Sequence, residues 1–142
     1  MVSLDLSNLD LEERWSEIKP SIRFKTASPF LSRKGAQRSA AIYWELESGY
    51  ETGLHKDNAD ELLLILAGVA NLRVGTEKRQ FAPEQLALIP AMMPHNIQNI
   101  SNGAVRCLSF FACATVVSVF EKPLMPLGTR ELHTGLIEAH TS

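Results

Sequence analysis

The chain has 142 residues, 45% hydrophobic and 21% charged, with a formal net charge of −2, which is the material of one ordinary globular domain able to close a single core. Its basic residues are scattered apart from a small cluster at Arg33, Lys34 and Arg38, so no electrostatic footprint for nucleic acid stands out. Two cysteines, Cys107 and Cys113, are too few for a disulfide scaffold and read as buried reduced thiols.

The opening stretch MVSLDLSNLDLEERW carries acids where a secretory leader needs a basic and then an apolar segment, so a cytoplasmic protein is expected. Ser7 or Asn8 is placed to cap a short helix over residues 9–18. Leu11, Trp15 and Ile18 recur at helical spacing, acids fill the first turn and Pro20 stops it. A lone helix of that length needs a surface to lie on, so residues 1–35 are expected to form an N-terminal arm.

Residues 36–120 have a different texture. Short apolar segments run over 41–47, 62–67, 69–74, 86–89, 95–99, 104–112 and 115–120, with GTEK at 75–78 as a hairpin turn and Pro90 ending one strand. Many short strands with no helical pattern between them predict an all-β antiparallel sandwich or barrel. The apolar run from Leu108 to Phe120 is too short to span a bilayer as a helix, so no membrane partner is expected. Residues 121–142, rich in Pro and Gly at their start, read as an irregular C-terminal extension, with His133 and His140 solvated.

Both faces of the strand that opens at Glu61 are apolar: Leu63, Ile65 and Ala67 on one, Leu62, Leu64 and Leu66 on the other. A solvated outer face would alternate with polar residues, so a second subunit, the arm or the tail is expected to cover it, and a homodimer is favoured. Tyr43, Trp44, Phe110 and Phe111, with Met92 and Met93, are expected to pack in the core. Glu45, Glu47 and Glu51 read as a solvated edge, from which one acid could turn into the barrel as a general acid or base.

The segment GLHKDNADELLLILAG, residues 53–68, and the segment IPAMMPHNIQN, residues 89–99, carry the chemistry. Side chains alternate along a strand, so His55 and Asp57 share a face, and Glu61 can point into the same interior. Imidazole and carboxylate suit a divalent transition metal, and His95 is a fourth candidate.

The spacing of these residues resembles the two motifs of the cupin superfamily. Gly49, five residues, His55-Lys56-Asp57, three residues, Glu61, six residues and Gly68 follow the first motif; Glu84, five residues, Pro90-Ala91-Met92, two residues, His95, three residues and Asn99 follow the second. Two departures stand out. Asp57 replaces the usual second histidine, and Glu84 and Met92 replace both glycines of the second motif. At Met92 either the turn is rebuilt or it carries strain on the order of 1 kcal/mol.

The resemblance implies a small jelly-roll barrel holding one divalent ion, Fe(II) or Mn(II) favoured and Ni or Zn possible, with His55, Asp57, Glu61 and His95 as metal ligands. If Asp57 binds, two histidines and two carboxylates neutralise the ion; if it turns away to Lys56 or solvent, a two-histidine, one-carboxylate set remains. The implied activity is that of a metal-dependent enzyme on a small organic substrate inside the barrel, oxygenase (dioxygenase-like) chemistry before isomerase, lyase or cyclase chemistry. The alternative is a non-catalytic small-molecule-binding or sensing cupin, with or without metal.

Overall fold

The computed structural model describes residues 1, 3–30 and 35–134; Arg33, Lys34 and His140 lie outside the described residues. The elements are twelve strands: β1 Glu12–Trp15, β2 Arg23–Phe30, β3 Ala40–Leu46, β4 His55–Asp57, β5 Glu61–Ala67, β6 Ala70–Val74, β7 Glu77–Phe81, β8 Leu86–Ile89, β9 His95–Asn99, β10 Val105–Phe111, β11 Val116–Leu124 and β12 Thr129–Thr134. A single 3-10 turn, Leu6–Asn8, precedes them, with the Asp5 side chain accepting from the Ser7 amide as its cap. Among the described residues no helix is long and apolar enough to cross a membrane.

The strands form two six-stranded sheets, in the orders β1-β2-β3-β10-β5-β8 and β12-β11-β4-β9-β6-β7, and the neighbouring strands pair antiparallel. They face each other without closing. Strand alternation supplies the core: Ile42, Trp44 and Leu46 of β3 and Leu63 and Ile65 of β5 meet Leu72, Ile97, Val116 and Phe120 of the opposite sheet. β6 and β7 are joined through Gly75 and Thr76, with Val74 and Glu77 as the closing pair and Gly75 at φ 60°, as a two-residue hairpin requires. Gly68 ends β5 at φ 79°, where a Cβ would stand 2.7 Å from the Ala104 carbonyl oxygen.

Several expectations are corrected here. The segment expected to be a helix over 9–18 instead contains strand β1, paired with β2 in register Glu13↔Lys25 and Trp15↔Arg23. An isolated helix of ten residues is marginal in water, whereas the strand gains a ladder, an Arg23–Glu13 ion pair at 2.9 Å, and the Arg23 guanidinium 5.2 Å from the Trp15 ring centre. Ile18, the third residue of the supposed helical stripe, is exposed. The tail is not irregular up to residue 134: β11 runs on to Leu124 and β12 pairs back on it. Phe110, Met92 and Met93 are exposed rather than core residues. Glu51 is buried, accepting from Ser21 and Asn96 at 2.8 Å each, while Glu45 lies with Tyr43 on the outer face of β3 and accepts from its hydroxyl.

That outer face is covered in part by the N-terminal segment. Leu6, Leu9 and Leu11 lie over Tyr43 and Arg106, and Tyr43 is only 1% exposed. Farther across the same sheet, Leu62, Leu86, Leu88 and Phe110 remain exposed.

Candidate metal centre

The four sequence-predicted ligands come together between the sheets. His55 and Asp57 project inward from β4, Glu61 opens β5 and His95 opens β9, and all four are at most 3% exposed. His55 and His95 are partners in the β4–β9 ladder, so their rings lie 4.1 Å apart. One potential ligand atom each from His55, Asp57 and His95 falls within 4.8 Å of the others. Glu61 lies outside that tight trio but reaches it from the opposite sheet, with Oε1 3.2 Å from His95 Nε2; Asp57 Oδ2 is 3.3 Å from the same nitrogen. Asp57 therefore does not turn away to Lys56 or solvent.

Both imidazoles are oriented by the backbone. His55 Nδ1 is 2.8 Å from the Gly53 carbonyl oxygen and His95 Nδ1 is 2.8 Å from that of Met93. With Nδ1–H donating to a carbonyl, each ring turns Nε2 towards the centre, as a free lone pair at His55 and, at His95, as one freed when the ring gives up its second proton. Phe120 stacks on His55 at 4.6 Å and 17°, and Trp44 lies 6.0 Å away. Gly53 sits at φ 85°, where a Cβ would stand 2.8 Å from Ile22 Cδ1, so a side chain there would disturb the loop that presents the carbonyl.

Two serines that the sequence reading passed over hold the carboxylates. Ser118 of β11 donates to Asp57 Oδ1 at 2.6 Å and Ser109 of β10 donates to Glu61 Oε2 at 2.6 Å, while the Trp44 indole N–H donates to Ser109 Oγ at 3.0 Å. A signal existed: each serine sits at an inward position of an otherwise apolar strand, Ser118 between Val116 and Phe120, where an unpaired hydroxyl would be costly.

The remaining atoms are orphaned. Asp57 Oδ2, Glu61 Oε1 and His95 Nε2 are buried and have no hydrogen-bond partner despite their closeness. Burial depresses the His55 imidazole, with His95 adding to the effect, to about 4. At His95 burial acts in the same direction, but the facing Asp57 and Glu61 outweigh it and lift the ring to about 10. Burial also raises Glu61, reinforced by Asp57, whereas at Asp57 the two histidines and Ser118 overcome burial and hold the carboxyl well below its usual range. Buried polar atoms without partners are costly, and three that converge on one point, beside an imidazole with a free lone pair, fit a divalent cation.

The cupin-domain family profile matches residues 42–111, which contain all four candidate ligands and Ser109, while Ser118 lies beyond the match on β11. The chain belongs to the cupin superfamily. Solved structures agree on the fold. The cupin domain of Schizosaccharomyces pombe Cnp3 superposes with a TM-score of 0.65 at 22% identity, over 79% of this chain and 74% of that one. Lactobacillus farciminis oxalate decarboxylase, in a formate complex, gives 0.70 at 20% identity over 82% of this chain. The polyketide cyclase RemF of Streptomyces resistomycificus gives 0.66 at 17% identity, over 80% of both chains. This cupin spans 34% of the oxalate decarboxylase chain. No curated protein matches its sequence.

Proposed function

We propose that this cupin is a metal-dependent enzyme acting on a small organic molecule, with His55, Asp57, Glu61 and His95 as ligands of one divalent ion, Fe(II) or Mn(II) favoured. The observation that carries the reading is the set of orphaned atoms, Asp57 Oδ2, Glu61 Oε1 and His95 Nε2, buried together beside His55. Bound there, a redox-capable ion would supply oxygen chemistry, because two carboxylates weaken it as a Lewis acid and favour its higher oxidation state. On that ground oxygenase chemistry precedes isomerase, lyase or cyclase chemistry. The chain's own residues do the rest: the Gly53 and Met93 carbonyls fix the imidazole tautomers, and the aromatic stack of Trp44, Phe24 and Phe120 keeps water from one side of His55. A cleft of about 190 Å³ has His55 in its wall together with Lys56 and Arg130, and offers a small molecule an approach.

The test is elemental analysis of protein purified without chelator. Near-stoichiometric Fe or Mn that vanishes in His95→Ala supports the reading, and protein that stays empty after incubation with Fe(II) or Mn(II) overturns it. A second reading, a small-molecule-binding cupin without metal, is favoured by one observation: His95 Nε2 lies 3.3 and 3.2 Å from the Asp57 and Glu61 carboxylates, so a protonated ring there offsets one of their two charges with no ion present. We propose further that the exposed outer face of Leu62, Leu86, Leu88 and Phe110 pairs two copies of the chain.

A further inference from the structure

We infer that Ser118 and Ser109 are positioning residues that hold Asp57 and Glu61 each to a single coordinating oxygen. The inference rests on the metal-binding reading. A carboxylate has two oxygens. At Asp57 one of them, Oδ1, accepts from Ser118 Oγ at 2.6 Å, and at Glu61 one of them, Oε2, accepts from Ser109 Oγ at 2.6 Å. The oxygens left over, Oδ2 and Oε1, are the two that face His95 Nε2 and have no partner.

Strand register delivers both hydroxyls. Ser118 is paired with Asp57 in the β11–β4 ladder, and Ser109 is paired with Ile42 on one side and Leu63 on the other, one inward position along from Glu61. Both serines are buried, at 4% and 0% exposure, so water does not compete for the bonds. The Ser109 bond also has a fixed direction. Trp44 Nε1–H can only donate, and it occupies a lone pair of Ser109 Oγ, which leaves the single serine proton for Glu61.

Hydrogen bonds to a charged carboxylate are the strong ones, and in a dry site each serine pins the rotation of its carboxylate so that one oxygen, Oδ2 or Oε1, is the one presented to His95 Nε2. Each carboxylate therefore supplies one donor atom. Two imidazole nitrogens and two carboxylate oxygens make four donors, so an ion that prefers six ligands keeps positions for water or substrate. A second layer of this kind orients ligands and sets affinity.

Co(II) titration of the metal-free full-length protein tests this, following visible absorption for coordination and a competing chelator for affinity. Ser118→Ala is expected to lower Co(II) affinity by roughly 10- to 100-fold and to alter the absorption spectrum, as the freed Asp57 turns or chelates, with Ser118→Thr restoring both. Ser109→Ala is expected to act likewise at Glu61; if it fails to fold, Ser118→Ala alone decides. A folded Ser118→Ala protein with wild-type affinity and spectrum overturns the positioning role, as does a variant that loses only thermal stability. A wild-type protein that takes up no Co(II), Fe(II) or Mn(II) overturns the metal-binding reading and the inference with it, an outcome visible before any variant is compared.

Discussion

Met92 and Glu84 occupy left-handed backbone, at φ 65° and 74°, in the positions where the cupin motif has glycine. The turn is not rebuilt; it keeps the glycine geometry with a side chain attached. It is held by the Met92 amide donating to the Asp57 carbonyl oxygen at 2.7 Å and the Ala91 amide donating to Asp60 Oδ1 at 2.9 Å. A side chain in this region costs about 1–2 kcal/mol, and Met92 is 53% exposed, so little packing offsets the strain. Met92→Gly is expected to stabilise the protein by about 0.5–1 kcal/mol after the entropy that glycine adds to the unfolded chain, read as a higher urea midpoint with an unchanged slope. A second prediction concerns His95. In the metal-free protein Asp57 and Glu61 keep its proton on up to about pH 10, while His55 is already neutral above about pH 4. Metal uptake between those limits must then expel about one proton per ion, and apparent affinity should rise about tenfold per pH unit. An indicator dye in weakly buffered solution at pH 7.5 counts the proton; none released would mean that His95 is neutral before uptake or is not a ligand. His55, Asp57, Glu61 and His95 were legible because their intervals are a pattern in one dimension. Ser109 and Ser118 were legible only as hydroxyls at inward positions of apolar strands; which group each serves is decided by the carboxylate opposite it in the folded sheet.

At the scale of elements, short apolar segments set off by turns made β3, β5, β8, β9 and β10 readable to within a residue or two of their ends, because each buries one face against the other sheet. The flanks were misread for the opposite reason. β1 and β12 are outer strands of their sheets with largely unburied patterns, so what makes them strands is a neighbour distant in sequence. β1 bridges Met125 through its Trp15, which ties the N-terminal segment to the end of β11. This arrangement predicts what removal of residues 1–11 would do. Half-buried Leu6, Leu9 and Leu11 would no longer cover Tyr43 and Arg106, costing on the order of 1–3 kcal/mol at about 25 cal/mol per Å². Tyr43 and Trp44 point to opposite faces of β3, and only Trp44 reaches Ser109. The shortened protein is therefore expected to show a lower urea midpoint and unchanged metal content; loss of metal at full folding would show that the segment supports the site.

At the scale of the whole molecule, the outer face of the β1–β8 sheet divides in two. Across β3 and part of β10 the N-terminal segment is the cover. Across β5, β8 and the end of β10 the ladder sets Leu62 beside both Phe110 and Leu88, and Leu64 beside both Leu108 and Leu86. Leu86 and Leu88 are 57% and 62% exposed, and Leu62 and Phe110 each 43%. β8 also ends its sheet, with backbone groups on its outer side and no charged residue among its four to discourage pairing. A patch that is apolar throughout complements itself, and one copy turned about a two-fold axis beside β8 meets the same residues in the second. On the proposed pairing, a second copy would cover what the N-terminal segment leaves open. The wild-type protein is expected to run at the mass of a dimer in sedimentation at micromolar concentration, and Leu88→Glu, which sets a charge at the centre of the patch, to run as a folded monomer. Because Leu88 faces away from the barrel interior while its neighbour Ile89 faces into it beside Glu61, metal content should not change in that monomer. A wild-type protein that sediments as a monomer at high concentration would leave this face without a second copy and refute the pairing.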